Sequence, residues 1–267
     1  MVNRLLALRI GALLLAAVLL AAPSARAQPL TIDSLLTRIF STDDRTSYDL
    51  TAAFNGTLTL GLKEGRWVAL AAGTFHEWRT AGQPRHWKIN IDQLDLPTLL
   101  RPFSGALRRA IEEKAAMQSE SLEALHSHEL FILEELPGGR YVLAGIRSDL
   151  VDEAIDRYGH AADKTNPTTR RAIARWLFVA PTMREWIVRR GGAYAIQAVA
   201  DEQGLVYSVT LFYNWGRLDM TFNYVTIAGR PIWREVGTGI ISDIDGVGHV
   251  TGHLSLTFSQ HKFALLP

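Results

Sequence analysis

The residues able to do chemistry are few and scattered. His249 and His253 form an H-x-x-x-H spacing. On a helix that spacing puts both imidazoles on one face, near a common metal. Here it falls in an alternating segment, where four residues span about 13 Å, too far for one ion. Both are read as solvent-facing histidines. Asp243-Ile244-Asp245-Gly246 opens like a calcium loop, but the twelfth position is Leu254 rather than a bidentate glutamate. Asp-Gly is also a common hairpin turn, and that reading is taken. His126, His128 and Glu129 could join His76 and Glu77 in an acid/base site, but they lie on different segments that nothing in the sequence brings together. Glu134 and Glu135 are neighbours on a strand and face opposite ways. Nucleophile elbows, H-E-x-x-H helices and phosphate-binding glycine loops do not occur. Cysteine is absent, so there is no thiol nucleophile, thiolate ligand or disulfide. The expectation is no catalytic residue, no metal and no cofactor.

The elements around these residues are mostly strands. From Trp186 to Phe258 the chain alternates in successive segments. Leu205, Tyr207, Val209, Leu211, Tyr213 and Trp215 share one parity. Leu218, Met220, Phe222 and Tyr224 follow after Gly216, and Val250, Leu254, Leu256 and Phe258 after the Asp-Gly turn. Side chains of a strand point to opposite faces with period 2, so each segment has one apolar and one wet face. Short turns between them predict an antiparallel meander, with strands near 185–190, 193–201, 204–215, 217–228, 231–242 and 247–260. Tyr48 to Leu62 alternates over its whole length, with Gly56 mid-strand where a bend or bulge is expected. Arg66 to Arg79 is apolar on both parities from Trp67 to Ala72, as in a strand covered on both faces. Pro84 to Asp92 puts Trp87, Ile89 and Ile91 on one side. Pro137-Gly138-Gly139 joins strands Glu129–Leu136 and Arg140–Ile146 as a hairpin.

Helical periods interrupt the strands. Ile32, Leu35, Leu36, Ile39 and Phe40 form one stripe of a helix from Thr31, a candidate N-cap. Phe103, Leu107, Ala110 and Ile111 form another within 97–126. Ser148 caps a helix carrying Val151, Ala154, Ile155 and Tyr158, and Asn166-Pro167 opens a further one. About eleven strands with three to four inserted helices argue for an α+β fold with an antiparallel sheet.

Residues 1–27 have the pattern of a secretory signal peptide: Arg4 and Arg9, an apolar run from Ile10 to Ala22, and Ala25-Arg26-Ala27 before Gln28. The uncharged run is short for a membrane span of about 20 residues. No cysteine follows it, so a diacylglyceryl anchor cannot form. Of the 28 basic residues, Arg4, Arg9 and Arg26 lie in this segment, leaving 25 bases against 27 acids. Residues 28–267 are therefore near neutral, with no electrostatic footprint for nucleic acid. They are long enough to bury one core without disulfides, and a single domain is expected.

The order of segments resembles the periplasmic lipoprotein carrier superfamily, which includes outer-membrane lipoprotein-sorting proteins and mycobacterial lipid-binding lipoproteins. The resemblance runs from Thr31 to Phe263: the N-terminal amphipathic helix, the long strands Tyr48–Leu62 and Arg66–Arg79, mid-chain helices, then the meander holding LVYSVTLFYNW and RLDMTFNYVTI. It implies an unclosed antiparallel barrel, a strongly curved half-barrel sheet with the helices as a lid, and a cavity that accepts acyl chains. It carries over no functional residue.

The aromatic and methionine content of the sheet has two readings: a filled core, or a ligand cavity under a helical cover. The cavity would be lined by Leu50, Phe54, Leu58, Trp87, Ile89, Leu211, Tyr213, Met220, Phe222, Tyr224, Leu254 and Leu256. The expected function is an exported, periplasmic or extracellular binding protein for a lipid or acyl-chain ligand, carrying lipids or lipoproteins across the envelope with a membrane or lipoprotein partner, and with no nucleic acid. An exported hydrolase using histidine and carboxylate is the alternative. An outer-membrane barrel is a third, weakened by the helical stretches and the lost alternation at Trp67–Ala72.

Overall fold

Ten strands join in one antiparallel sheet. In the computed structural model of the protein, the described residues are 30–40, 47–62, 65–81, 86–98, 101–105, 108–109, 112, 127–158, 163–189, 192–244 and 248–266. The signal-peptide segment, the Asp245-Gly246 turn, His126 and most of 97–126 lie outside them.

The strands are β1 (Tyr48–Leu62), β2 (Gly65–Arg79), β3 (His86–Asp95), β4 (His128–Leu136), β5 (Arg140–Arg147), β6 (Ala193–Asp201), β7 (Val206–Tyr213), β8 (Gly216–Ile227), β9 (Arg230–Ile244) and β10 (Gly248–Leu265). Their order is β3-β2-β1-β10-β9-β8-β7-β6-β5-β4. Two meanders, β1–β3 and β4–β10, are thus zipped together where β1 pairs β10, from Tyr48 opposite Leu265 to Gly61 opposite Thr251. Strands β3 and β4 are edges, so the sheet does not close. A membrane barrel must satisfy every strand edge by closure, and this sheet does not meet that requirement.

The helices are α1 (Ile32–Phe40), α2 (Ser148–Tyr158), α3 (Pro167–Val179) and α4 (Pro181–Val188). Thr31 Oγ1 accepts from the Ser34 N–H at 3.2 Å, the expected N-cap of α1. Asn166 Oδ1 caps α3 through the N–H groups of Thr168 and Thr169, with Pro167 at the first helical position. The expected strand near 185–190 is instead α4. Pro181 opens it, and Met183 and Ile187, four apart, are both buried on one face. That exchange accounts for ten strands rather than eleven.

Alternate residues of β4–β7 feed two cores. Phe131, Ala144, Ile146 and Ala195 pack with Val151, Ile155 and Leu177 of α2 and α3 on the outer face. Leu130, Leu143, Ile196, Val209 and Leu211 pack on the inner face around Leu35 of α1, which is fully buried. Of these four helices, α1 covers the inner face and α2, α3 and α4 back the outer one.

Both edges carry contacts of the kind that keep an open sheet from pairing with another chain. At β4, Arg170 Nε donates to Glu129 Oε1 at 2.6 Å and its Nη1 to Asp152, while Arg171 of α3 pairs with Asp33 of α1. At β3, the outward N–H of Ile91 donates to Glu112 Oε1 at 3.0 Å.

Bulges curl the sheet. They fall between Thr51 and Ala53 against β10, between Ala72 and Gly73 against β3, and between Asn223 and Tyr224 against β9. On β10 the extra residue includes Gln260, at φ 51°. Gly56 is not at a bulge: it pairs in register with Ala71 and Leu256, and a Cβ there would stand 2.7 Å from Leu256 Cδ2. It is small so that Leu256 can lie across it.

Candidate ligand cavity

The inner parity of β1 is Tyr48, Leu50, Ala52 and Phe54, each buried. Its register partners on β2 place Phe75 opposite Ala52, Glu77 opposite Leu50 and Arg79 opposite Tyr48. Next across, Ile89 faces Phe75 and Trp87 faces Glu77. The other side of the trough comes from Met220, Phe222 and Tyr224 of β8, Trp233 and Val236 of β9, and Leu254, Leu256 and Phe258 of β10. These faces do not fill the space between them. They enclose a cavity of about 700 Å³, within the range of about 300–1,000 Å³ typical of small-molecule sites. Ile39 at the end of α1 and the turn at Gly204-Leu205-Val206 complete one wall.

Aromatic rings set the shape of the wall. Trp233 meets Trp87 at 5.1 Å, Phe75 at 6.0 Å and Phe222 at 6.1 Å between centroids. Phe75 meets Phe258 edge-on at 5.2 Å, and Phe258 meets Phe54 at 6.5 Å. Edge-to-face and offset contacts of this kind hold rings in place beyond their area burial. The Tyr224 hydroxyl is turned away, donating to the Val206 carbonyl at 2.6 Å. Val68 and Leu70, paired with Thr59 and Thr57, have the outward parity of β2 and are 46% and 51% exposed, so β2 is not covered on both faces there.

One end of the cavity is polar. Glu77 and Arg79 continue the inner parity of Phe75 and are only 6% and 4% exposed. The Tyr48 hydroxyl donates to Glu77. The Arg230 guanidinium stands 5.9 Å from the Tyr48 ring centroid and 6.0 Å from that of Phe263. His261 Nε2 is 3.0 Å from the Trp233 carbonyl. A carbonyl can only accept, so this nitrogen carries the proton.

The geometry is similar to that of known structures. An outer membrane lipoprotein-sorting protein domain from Vibrio parahaemolyticus matches with a TM-score of 0.43 and 13% identity, over 87% of this chain and 92% of that one. A DUF1329 family protein from Desulfovibrio piger ATCC 29098 matches with a TM-score of 0.37 and 7% identity, over 86% and 90%. Lipovitellin, in a structure of its lipid–protein interactions, matches with a TM-score of 0.34 and 10% identity, over 84% of this chain and 26% of lipovitellin. No family model matches the chain, and no curated protein does.

Of the residues expected from the sequence, Leu50, Phe54, Leu58, Trp87, Ile89, Met220, Phe222, Tyr224, Leu254 and Leu256 line the cavity. Leu211 and Tyr213 lie on the same sheet face one step away, in the cluster that α1 covers. There the Leu35 side chain takes the room, and burial raises the Tyr213 phenol above its usual pKa. Sequence reasoning missed Arg79, Arg230 and Trp233, and weighed Glu77 only as a partner of His76. For Glu77 and Arg79 a signal exists: two charged residues sit on the parity that Phe75 marks as inward.

Of the histidines weighed in the sequence, His76, His249 and His253 fall elsewhere. His76 and Glu77 are adjacent on β2 and so face opposite ways. His76 Nε2 lies 2.9 Å from Asp49 Oδ2 on the outer face, in a half-exposed pair beside the Trp78 ring, with His86 beyond it. This histidine–carboxylate pair is not part of the cavity lining. His249 and His253 are exposed along β10. Among the described residues no group of three or more histidines and carboxylates is arranged to hold a metal.

Proposed function

We propose that this protein is an exported binding protein, not an enzyme, that holds a lipid or other apolar ligand in the trough of its curved sheet. The observation that carries the reading is the cavity of about 700 Å³ bounded by Phe54, Phe75, Trp87, Phe222, Trp233 and Leu256, where a folded chain would otherwise close its core. Packed interiors leave few voids larger than a water molecule. An acyl chain entering this space gains on the order of 0.8 kcal/mol per methylene removed from water. The signal-peptide pattern of residues 1–27 supports export to the periplasm or beyond. The exposed apolar residues Val68 and Leu70, at the Leu58 end of the cavity, support exchange of the ligand with a membrane or a lipoprotein, and so a role in carrying lipids or lipoproteins across the envelope. The His76–Asp49 pair lies on the opposite face of the sheet, outside this cavity, which speaks against the hydrolase alternative.

Native mass spectrometry of gently purified protein tests the proposal. A bound lipid is expected, and delipidated protein is expected to take up a fluorescent fatty acid. A preparation with no adduct, inert to fluorescent fatty acids after delipidation, would refute it.

A further inference from the structure

Register shows that three hairpin turns share one end of the trough. Leu62 pairs with Gly65, Tyr213 with Gly216 and Ile244 with Gly248, which are the β1–β2, β7–β8 and β9–β10 turns. Ser242 stands beside both Gly216 and Val250, and Gly61 beside Thr251, so the three turns lie level. Just inside them Ile240 of β9 continues a row formed by Trp67, Leu60 and Gly252. Ile240 has the parity of Thr238, which lines the cavity, yet it is 40% exposed. Tyr48, on the same face of the sheet toward the other end, is buried. The trough is therefore open to water at its hairpin end.

The rim of that opening is apolar. Trp215, in the β7–β8 turn, is 41% exposed, and its ring stacks on Tyr213 with centroids 4.5 Å apart. Val68 and Leu70 stand exposed on β2, with exposed Arg66 beside them. Single exposed apolar side chains need no explanation, but four large ones bordering the opening of a cavity mark an interaction site. Their types suit a lipid surface. Tryptophan and tyrosine, with an apolar body and a polar edge, are favoured where hydrocarbon meets headgroups, and an exposed guanidinium is attracted to anionic lipid. The apolar lining continues inward from this rim through Leu60, Leu58 and Leu254, so an acyl chain entering here need not cross water.

From this we infer that the hairpin rim docks on an anionic lipid bilayer, with Trp215 and Ile240 set into the headgroup region, and that the ligand passes between bilayer and cavity at this end. The inference rests on the lipid-binding reading above. It adds the surface on which the protein acts and the end by which the ligand enters.

Flotation with mixed phosphatidylethanolamine and phosphatidylglycerol vesicles tests it, beside uptake of a soluble fluorescent fatty acid by the same delipidated protein. The wild-type chain is expected to float with the vesicles. The Trp215→Ser, Ile240→Ser double variant is expected to bind them about tenfold more weakly or worse, as the loss of two apolar side chains implies, and to take up the soluble fatty acid as before. Trp176→Ser, Val179→Ser, which removes two exposed apolar side chains from α3 on the outer face, should float like wild type. A wild-type chain that ignores vesicles but takes up fatty acid would overturn the inference and leave the lipid-binding reading intact. So would a rim variant that floats undiminished, or a rim that instead joins two copies, seen as a dimer in sedimentation that the double variant splits. Failure of both flotation and uptake would overturn both readings. The wild-type arms need no variant, so a poorly folding one does not remove the test.

Discussion

Trp87 and Trp233 meet edge to face, with centroids 5.1 Å apart and planes at 80°. Their strands, β3 and β9, stand four steps apart in the sheet order. In a flat sheet four steps of about 4.8 Å would separate them by roughly 19 Å. The contact therefore measures how far the sheet has curled, and it forms across the trough rather than along it. Any tail lying in the trough must pass beside this pair.

A tail-brominated fatty acid is accordingly expected to quench the emission of these indoles. The Trp87→Phe, Trp233→Phe double variant should lose most of the quenching, while Trp176→Phe, on the outer-face helix α3, should keep it. Quenching unchanged in the double variant would place the fatty acid outside the cavity.

The contrast between these two tryptophans shows what the sequence could reveal. Trp87 sits in a plainly alternating segment, so its inward parity is legible. Trp233 stands next to the bulge between Asn223 and Tyr224, which breaks the alternation that would have flagged it. The long strands β1 and β2, and both capped helices, follow from period and capping chemistry alone. The segment Pro181–Val188 does not, because eight residues with Met183, Trp186 and Ile187 satisfy either period. Nor could parity separate Leu211 from Val209: both face inward and pack with Leu35, but only Val209 also lines the cavity.

Narrowing the trough should block binding without harming the fold. Leu254 lies opposite Leu58 on β1 and Thr238 on β9, half-buried in the cavity wall. In Leu254→Trp the larger side chain has the cavity to enter, so the usual overpacking cost of about 1–3 kcal/mol falls on the ligand instead of the fold. Fatty-acid affinity is expected to fall about tenfold or more, with a melting temperature close to wild type. Undiminished affinity would show that the tail avoids the Leu254 end.

The helix α1 is held by one side chain above all. Leu35 is 0% exposed and sits among Leu130, Leu143, Ile196, Val209 and Leu211. Leu35→Ala should cost about 2–5 kcal/mol, which in a chain of this size lowers the melting temperature by about 5–15 °C. Gly204→Ala should act in the same direction, since its Cβ would stand 2.6 Å from the Arg38 carbonyl carbon at a φ of +88°. Calorimetry checks both. A Leu35→Ala protein melting like the wild type would mean that α1 is not docked on the inner face in solution.

The clasp over the β4 edge gives the last prediction, because it has a definite pH sign. Asp33 of α1 pairs with Arg171 of α3, with Arg171 Nη1 3.1 Å from Asp33 Oδ2. The hydrogen bond from Arg171 holds the Asp33 carboxyl below its usual pKa, against a smaller opposing effect of burial. A carboxyl whose folded pKa is depressed contributes stability that is complete above its unfolded value, about 3.9, and is lost as pH falls through the folded one. The Asp33 side chain is 69% exposed, so solvent and salt limit the contribution to about 0–1 kcal/mol. Asp33 also lies in the first turn of α1, where a negative charge is favourable by itself. Asp33→Asn therefore removes two effects and Arg171→Met removes one. Both variants are expected to melt slightly below wild type at pH 7 in low salt, Asp33→Asn by more, with the differences shrinking below about pH 3.9 and vanishing once the Asp33 carboxyl is protonated in the folded protein. If the Arg171→Met deficit persisted at that pH, its cause would be the packing of the arginine stem against β4, and the clasp would owe nothing to charge.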